Sequence, residues 1–451
     1  MSTNKNEASE YIDSFLTLNF FITLIIAASV CAFIALVCGK LTRKYRVGKI
    51  VFVAITLLLS VNIADIYRVG FDIWRSNIET AFSLSRTVNN VIYSYENVTD
   101  YMEYENGAKN NSTIITKDNS NIPNVVFIIG ESTSRNHMSL YGYELDTTPQ
   151  LKAKLKDGNL FVYKDVISHH SHTIKVMREL FTFYRRDSVD DWYKYVNLFD
   201  ILAKTNYHTY WISNQEPVGV WSLDKFYSRR CDYKFFTEVR ESRDDTTHFD
   251  GELIDTIKNL DFHDKNFLAI HLMGTHGGYK NRYPTEFEKF TVSDETKGEN
   301  EKQKQERAFY DNAVLYNDYV VNSIIDMFVD KDAIVIYASD HADEVYEDRD
   351  FVGHSETDGS THMIEIPMLI WVSESFKENR PELAARIAAS VNRPFETDDM
   401  IHVLLDIMSI ETPEYDAEKS VINDAYDSDT ERTYGDLVYQ LNGDKFTLRE
   451  K

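Results

Sequence analysis

The chain has 451 residues and a formal net charge of −24, from 48 lysine and arginine residues against 72 aspartate and glutamate residues. This charge has the wrong sign for a protein that follows a phosphate backbone, so it argues against nucleic acid as a partner. With 43% apolar and 13% aromatic residues, the composition is that of a globular protein and excludes a mainly disordered or fibrous chain. The cysteines Cys31, Cys38 and Cys231 are too few for a disulfide framework.

Two apolar runs near the N-terminus predict a membrane anchor over residues 1–66. Residues 15–39 carry no charge and are long enough to cross a hydrocarbon core of ~30 Å as a helix. Residues 50–66 form a shorter run, which predicts a second transmembrane helix and is also typical of a buried or interfacial helix. The loop between them is basic and contains no acidic residue, so the positive-inside rule places it in the cytoplasm. The chain after the second run is therefore expected on the extracytoplasmic face.

Residues 67–123 are expected to contain juxtamembrane helices and a linker. Scattered aromatic residues favour helices on the membrane surface, or a helical hairpin packed on the main domain. Residues 105–123 are polar and rich in Asn, Ser and Lys, which is typical of a linker. A catalytic domain is therefore predicted over residues 124–451.

From residue 124 onward the sequence alternates short apolar runs with helical patterns. Apolar runs of this length are typical of strands buried on both faces, so the pattern predicts an α/β domain with a largely parallel sheet flanked by helices. The predicted strands cover residues 125–129, 209–212, 267–272, 333–338 and 368–372. In such a sheet, active groups gather beyond the carboxyl ends of the strands.

Polar residues lie at the ends of four of these strands. Glu131 follows the first, His276 follows the third, Asp340 and His341 follow the fourth, and His354 precedes the last. Carboxylates and imidazoles are suitable ligands for Zn²⁺ or Mn²⁺, so the pattern predicts a metal site. Taken alone, a glutamate after a strand is equally typical of a helix cap or a surface charge.

Several short motifs follow one another in a characteristic order between residues 124 and 372. They are VFIIGES at 126–132, RNHMSLYGY at 135–143, TTP at 147–149, HHSHT at 169–173, HLMGTHG at 271–277, RYP at 282–284, YDNA at 310–313 and SDHADE at 339–344. This series resembles the membrane-bound phosphoethanolamine transferases of the sulfatase-like branch of the alkaline phosphatase superfamily. The resemblance implies an alkaline-phosphatase/sulfatase-like fold on a transmembrane anchor in a bacterial inner membrane, with the catalytic domain in the periplasm.

The resemblance also implies roles for individual residues. In that family a glutamate, a nucleophilic threonine and an aspartate-histidine pair hold one zinc ion, and the corresponding residues are Glu131, Thr173, Asp340 and His341. His276 and His354 match family histidines that bind the substrate phosphate or a second metal, and both are expected to move protons. The implied reaction transfers phosphoethanolamine from phosphatidylethanolamine onto Thr173, releases diacylglycerol, and then passes the group to an acceptor hydroxyl. A divalent cation suits this chemistry because it lowers the pKa of a threonine hydroxyl.

Three further features are candidates for contact with the substrate. Asn214, after the second strand, is expected to bind the substrate phosphate or the ethanolamine, although asparagine in such a loop is also a common helix cap. Asn312, in the YDNA motif, is a second substrate-binding candidate. The acidic run at residues 343–350 is interpreted as a solvated loop, with attraction of an ethanolammonium group as the alternative.

Four residues near these motifs have competing interpretations. By residue type alone, His169, His170 and His172 suit a metal site. When the family resemblance is taken into account, they are expected to line the pocket or to be polar loop residues. Thr133 is a rival nucleophile because it is closer to Glu131 along the chain.

His271 shares the HLMGTHG motif with His276. It is interpreted as a core histidine whose ring is satisfied by its neighbours. Thr148-Pro149 is typical of a helix start.

The acceptor stays open between a lipopolysaccharide core sugar, lipid A and another surface glycan. Family members that modify lipid A have more transmembrane helices and several disulfides, which this sequence lacks. A phosphoglycerol transferase or a phosphodiesterase of the same superfamily is the alternative function. A sulfatase is disfavoured, because the nucleophile region lacks the Cys/Ser-x-Pro-x-Arg signature, and an inactive scaffold would bind no metal.

Overall fold

The computed structural model describes residues 113–215, 223–237, 248–442 and 445–450. The transmembrane helices predicted at 15–39 and 50–66, and the juxtamembrane residues 67–112, lie outside these ranges. Within the ranges described, no helix combines the length and the apolar character that crossing a bilayer requires.

Strands and helices alternate along the chain. The strands are β1 (Lys117–Asp118), β2 (Asn124–Gly130), β3 (Leu160–Tyr163), β4 (Val166–Ile167), β5 (His208–Ser213), β6 (Tyr233–Phe236), β7 (Asn266–His271), β8 (Ala333–Ser339), β9 (Glu344–Val345), β10 (Val352–Gly353), β11 (Met368–Val372), β12 (Phe395–Glu396), β13 (Ile410–Glu411), β14 (Arg432–Tyr434), β15 (Leu437–Asn442) and β16 (Lys445–Glu450). The α-helices are α1 (Pro149–Lys156), α2 (Thr173–Leu180), α3 (Leu198–Leu202), α4 (Leu223–Ser228), α5 (Glu252–Lys258), α6 (Glu301–Asp326), α7 (Glu374–Asn379), α8 (Pro381–Ser390) and α9 (Met400–Met408). The five predicted strands are confirmed as β2, β5, β7, β8 and β11, and α1 begins at Pro149 as the TTP motif predicts.

The central sheet of the described residues has seven strands in the order β3-β11-β8-β2-β7-β5-β6. Strands β2, β5, β6, β7 and β8 are parallel to one another. Strand β11 is antiparallel to both of its neighbours, so the sheet is largely parallel, as predicted, with one reversed strand. The reversal places Met368, at the start of β11, opposite Ala338, at the end of β8. The chain therefore enters β11 at the edge of the sheet where the parallel strands end.

Helices cover both faces of this sheet. Val126 and Ile128 of β2 belong to an apolar cluster that also contains residues of α1, α5 and α6. Phe127 points the other way, and its ring centroid lies 5.7 Å from that of Phe181, which follows α2. The ring of Phe181 lies 5.9 Å from that of Trp211 in β5. Alternate residues of one strand therefore pack against different helical layers, which is why the strands are apolar throughout.

Residues just before β2 are held against the domain. Strand β1 pairs with β13 in antiparallel register. Lys265 donates a 2.6 Å hydrogen bond to the carbonyl of Ser120, and the Tyr207 hydroxyl donates one of 3.1 Å to the carbonyl of Ile122. The last residues of the predicted linker therefore contact the same domain that β2 opens.

Candidate active site

Strands β2 and β8 lie side by side, and their ends bring two carboxylates together. The register pairs Gly130 with Ser339, so Glu131 and Asp340 follow at the same level of the sheet edge. Both of these side chains are buried, and so is the next residue, His341. Two acidic groups in the interior require positive charge or hydrogen-bond donors close by.

The backbone turn at Ser132 ties the two strand ends to each other. Ser132 has a φ of 58°, a left-handed conformation that is uncommon for residues other than glycine. In this conformation its backbone N–H donates a 3.1 Å hydrogen bond to Oδ1 of Asp340, and its hydroxyl donates one of 2.8 Å to Oε1 of Glu131. The turn therefore fixes both carboxylates at once.

Glu131, Asp340 and His341 form a compact group of potential ligands. One oxygen or nitrogen atom from each lies within 4.8 Å of the others. Nε2 of His341 is 3.2 Å from Oε1 of Glu131. Oδ2 of Asp340 is buried and has no hydrogen-bond partner among the described residues, which is a costly state for a carboxylate oxygen. This oxygen is free to bind a cation.

Thr173 joins this group from a different part of the fold. Its hydroxyl donates a 3.2 Å hydrogen bond to Oε2 of Glu131 and lies 3.4 Å from Nε2 of His341. Thr173 is the first residue of α2. The first N–H groups of a helix have no acceptor within the helix, so negative charge on a group attached to this hydroxyl is stabilised there.

The pKa values in this group show how strongly the charges interact. Burial raises the pKa of Asp340, and the neighbouring Glu131 carboxylate contributes to its value of about 7. Burial lowers the pKa of His341, but the charge of Asp340 and the hydrogen bond to Glu131 outweigh it and raise that pKa to about 10. Burial also acts to raise the pKa of Glu131, yet the hydrogen bond and charge of His341 hold it well below its ordinary value. Without a metal, a His341 imidazolium therefore supplies the positive charge that the two carboxylates need.

The donor atoms of this group fit a zinc ion. Two carboxylates, one imidazole and one hydroxyl are oxygen and nitrogen ligands of the kind that zinc takes in catalytic sites. The unpartnered Oδ2 of Asp340 supports the fit, because a cation is the partner that a buried, ionised oxygen lacks.

His354 lies beside this group and is oriented by a carboxylate. Its ring centroid is 4.2 Å from that of His341. Nδ1 of His354 lies 2.7 Å from Oδ1 of Asp343, whose other oxygen accepts a 2.7 Å hydrogen bond from the Tyr279 hydroxyl. A carboxylate on one ring nitrogen leaves the other nitrogen, Nε2, available for proton transfer.

His276 reaches the same edge through a tight turn after β7. The backbone N–H of Thr275 donates a 3.0 Å hydrogen bond to the carbonyl of Glu131. Gly274 has a φ of 53°, and a Cβ atom at this position would lie 2.7 Å from the same carbonyl oxygen. Nδ1 of His276 is buried and unpartnered among the described residues. The turn therefore carries His276 to the group that contains Glu131 only because residue 274 is glycine.

Comparison with known proteins identifies the family. The profile of the sulfatase family matches residues 123–410, which is more than half of the chain. The chain belongs to the sulfatase family. Phosphoethanolamine transferase EptC of Escherichia coli K12 is 28% identical over 451 residues, which cover 95% of this chain and 77% of that protein. The Kdo(2)-lipid A phosphoethanolamine 7''-transferase of the same strain is 27% identical over 264 residues, covering 56% of this chain and 45% of that protein.

Solved structures agree with this family. The C-terminal periplasmic domain of E. coli EptC matches with a TM-score of 0.65 and 30% identity, over 75% of this chain and 96% of that domain. The complex of the same domain with zinc matches over the same shares, with a TM-score of 0.65 and 29% identity. The resemblance to sulfatase-like phosphoethanolamine transferases is therefore confirmed, and the chain is an enzyme of the alkaline phosphatase superfamily.

His271 is not a simple core histidine. Its Nδ1 is 2.8 Å from Oδ1 of Asp224, but its Nε2 is buried without a hydrogen-bond partner in the described part of the chain. Burial lowers the pKa of His271, whereas the charge of Asp224 and a hydrogen bond to it raise that pKa to about 9. Asp224 lies in α4 and belongs to none of the sequence motifs. Only the packing of that helix brings it to this edge of the sheet.

The polar atoms of Asn214, a predicted substrate-binding residue, are hydrogen-bonded to other residues of the domain. Its amide nitrogen donates a 2.8 Å hydrogen bond to Oδ1 of Asp250, and its oxygen accepts one of 2.5 Å from the Thr237 hydroxyl. Asp250 in turn accepts 2.8 Å hydrogen bonds from the backbone N–H groups of Met273 and Gly274. Asn214 is therefore a positioning residue for the turn that carries His276.

The polar atoms of Asn312 are hydrogen-bonded to a loop of the domain, which corrects its assignment as a substrate-binding residue. It is fully buried in α6, and its oxygen accepts hydrogen bonds of 2.8 and 2.7 Å from the backbone N–H groups of Lys289 and Phe290. Its amide nitrogen donates to the carbonyl of Phe290 at 2.9 Å. The side chain holds a loop against α6, and its polar atoms are occupied by that loop.

Thr133 is excluded as the rival nucleophile by the direction of its side chain. Its hydroxyl is buried and lies 3.3 Å from the backbone carbonyl of Glu131, the acceptor to which it donates. The turn at Ser132 thus separates Thr133 from the Glu131 carboxylate, even though the two residues are near neighbours in sequence.

The acidic run at residues 343–350 is only partly a solvated loop. Asp343 and Glu344 are buried, and Asp343 orients His354 as described above. Glu347 lies 2.6 Å from Nε2 of His137, within the buried charge network of that histidine. The interpretation as a solvated loop is therefore wrong for these three carboxylates.

The histidines of the HHSHT motif divide into two groups. His172 occupies the position just before α2 without a side-chain hydrogen bond to the helix, and its ring centroid lies 6.4 Å from that of His354. His169 and His170 instead form a group with Glu179, at the other end of α2.

Replacing Gly274 with alanine is expected to destabilise the protein and to weaken metal binding. The added methyl group would meet the backbone of Glu131, which cannot shift without moving a ligand. Gly142→Ala is the matched control, because Gly142 has a φ of 101° and no atom within 4 Å of its Cβ position. The control should lose about 1 to 2 kcal/mol from backbone strain alone, and Gly274→Ala about 1 to 3 kcal/mol more from overpacking. Thermal unfolding and zinc content of the two variants measure this, and equal losses would contradict the close approach.

Zinc binding at the sulfatase-family site should release protons and strengthen as the pH rises. His341, with a pKa of about 10, and Asp340, with a pKa of about 7, must both lose their protons to act as ligands. The apparent affinity should therefore rise about tenfold per pH unit between pH 7 and 10, and more steeply below pH 7. Competition with a chelator across this range measures the slope, and the difference between wild type and Asp340→Asn isolates this site. A pH-independent difference would contradict the ligand set.

Proposed function

We propose that this enzyme transfers phosphoethanolamine from phosphatidylethanolamine to lipopolysaccharide, through a covalent intermediate on Thr173 at a zinc site. The observation that carries this proposal is the position of the Thr173 hydroxyl, 3.2 Å from Glu131 and 3.4 Å from His341, beside the unpartnered oxygen of Asp340. A hydroxyl is a weak nucleophile unless an adjacent base or cation activates it, and this one donates to a carboxylate and lies beside the proposed zinc ligands.

In the first step the Thr173 oxygen attacks phosphorus and the bond from phosphorus to the glycerol oxygen breaks. The Thr173 proton passes to Oε2 of Glu131, to which the hydroxyl already donates, and it returns to the Thr173 oxygen when the bond to phosphorus breaks in the second step. Glu131, Asp340 and His341 would hold the zinc ion, which would supply Lewis acidity that lowers the pKa of the hydroxyl and offsets negative phosphoryl charge. The helix N-terminus at Thr173 adds partial positive charge at the same place.

The leaving diacylglycerol oxygen needs a proton, and His354 is the residue that we assign to supply it. Asp343 orients the ring by its 2.7 Å contact with Nδ1 of His354, so Nε2 is the nitrogen that gives a proton and later takes one back. In the second step the acceptor hydroxyl loses its proton to the same nitrogen and attacks phosphorus, and the bond to Thr173 breaks. His276 is assigned to bind a phosphoryl oxygen.

The proposed acceptor and location are supported by the names of relatives and by the predicted anchor, and the proposed donor rests on the family resemblance. One relative is named for transfer of phosphoethanolamine to Kdo(2)-lipid A, and another is known as a periplasmic domain. The predicted helices at 15–39 and 50–66 would hold the catalytic domain at the periplasmic face of the inner membrane. There both a lipid donor and a lipopolysaccharide acceptor, modified on lipid A or on a core sugar, are within reach.

Thr173→Ala should reduce transfer by ~10³-fold or more, because it removes the hydroxyl that we assign to form the covalent intermediate. Thr173→Ser should keep measurable activity, since it retains the hydroxyl. The assay follows the phosphoethanolamine mass on lipopolysaccharide from cells that express each variant, and on the peptide that contains residue 173.

Two results would contradict this function. Full transfer by Thr173→Ala would exclude Thr173 as the nucleophile. A glycerophosphate group on the acceptor, or release of free phosphoethanolamine without transfer, would instead identify a phosphoglycerol transferase or a phosphodiesterase.

His354→Gln should lower transfer from phosphatidylethanolamine by ~10² to 10⁴-fold, the usual effect of losing a general acid. The loss should be small with p-nitrophenyl phosphoethanolamine, because nitrophenolate leaves without a proton. Asp343→Asn should show the same pattern in weaker form. The matched comparison is His276→Gln, which should slow both donors alike. Equal losses of His354→Gln on both donors would contradict its role as the acid.

A further inference from the structure

A second group of potential ligands lies at the far end of the nucleophile helix. One ring nitrogen of His169, one of His170 and one carboxylate oxygen of Glu179 lie within 4.8 Å of one another. All three residues line a cavity of about 520 Å³. Glu179 is six residues after Thr173 on α2, which separates the two positions by ~9 Å along the helix axis.

Each histidine of this group already has one nitrogen held in place. Nδ1 of His169 lies 3.0 Å from the carbonyl of Thr433 and 3.0 Å from Oε1 of Glu396. Nδ1 of His170 lies 3.1 Å from Oε2 of Glu356. Both rings are therefore oriented through Nδ1, which leaves the two Nε2 atoms available. A carboxylate or carbonyl behind each histidine is the arrangement usual for metal-binding imidazoles.

Glu179 is the group that most needs a partner. It is 3% exposed, and no hydrogen bond joins its carboxylate to any described residue. The nearest ion-pair partner in these ranges is Nε2 of His170 at 3.6 Å, which is too far for a hydrogen bond. A carboxylate in this state is costly unless a cation binds it.

The nearby arginines are engaged by other carboxylates. Arg186 forms ion pairs with Glu396 and Asp398, and Arg185 lies 3.1 Å from Asp399. Both oxygens of Asp398 are nevertheless buried without a hydrogen bond within the described chain. The cluster therefore has an excess of buried acidic groups, so the cavity favours a cation over an anion.

We propose that His169, His170 and Glu179 bind a second zinc-class divalent cation, separate from the catalytic metal. Two imidazole nitrogens and one carboxylate oxygen are ligands that zinc prefers, and the cavity leaves room for water as a further ligand. The ion would join the segment before Thr173 to the end of α2. By fixing both ends of this stretch, it holds the nucleophile in place and has no contact with substrate.

The test is the zinc content of the purified full chain, measured by mass spectrometry after dialysis. Glu179→Gln and His170→Gln should each hold one zinc fewer per chain than wild type. Asp340→Asn should also hold one fewer, and Asp340→Asn with Glu179→Gln should hold two fewer. Glu252→Gln is the matched control, because Glu252 also contacts a histidine, His248, at 2.8 Å on a half-exposed surface. It should keep the wild-type content.

A second variant keeps the proposal testable if the glutamine variants do not fold. In His170→Cys the ligand is replaced by another ligand, so the cobalt-loaded protein should gain a thiolate-to-cobalt charge-transfer band. An unchanged zinc content in Glu179→Gln, or no such band in folded His170→Cys, would overturn the proposal. Neither readout depends on transfer activity, so failure here is distinct from failure of the proposed function.

Discussion

Repulsion between two buried carboxylates governs this active edge. The parallel register of β2 and β8 places Glu131 directly beside Asp340, out of contact with water. Neither can be ionised there without positive charge nearby, and His341 supplies it when the site holds no metal. The same demand favours a bound cation at this edge, which is the role that we propose for it.

Much of the surrounding structure serves to hold this edge in place. The left-handed turn at Ser132 donates to both carboxylates, and Gly274 allows a second turn to approach the Glu131 backbone. Asn214 and Asp250 hold that second turn from behind through buried hydrogen bonds. None of these residues is itself assigned as a metal ligand, yet catalytic groups need this kind of support because small displacements weaken both metal binding and proton transfer.

Helix α2 connects the catalytic group with the histidine group behind it. Thr173 begins the helix at the carboxylate edge, and Glu179 lies near its end beside His169 and His170. One short helix thus has a group of potential metal ligands at each end. The histidines of the HHSHT motif are adjacent in sequence, but the chain changes from extended to helical at His172. As a result, His172 lies near His354, whereas His169 and His170 lie near Glu179.

The sequence by itself determined five of the seven strands of the central sheet, the α/β class, the family and the polar residues at the strand ends, because these depend on local apolar patterns and short motifs. Only the tertiary structure decided that Asn214 and Asn312 support loops and that Asp343 is buried behind His354. The positions of Asp224 and Glu179 beside histidines likewise emerge only from the tertiary structure, since in the sequence each is an ordinary acidic residue on a helix. The reason is physical. The apolar pattern of a strand shows where that strand ends, whereas the partner of a buried polar side chain depends on packing between segments that are far apart in the chain.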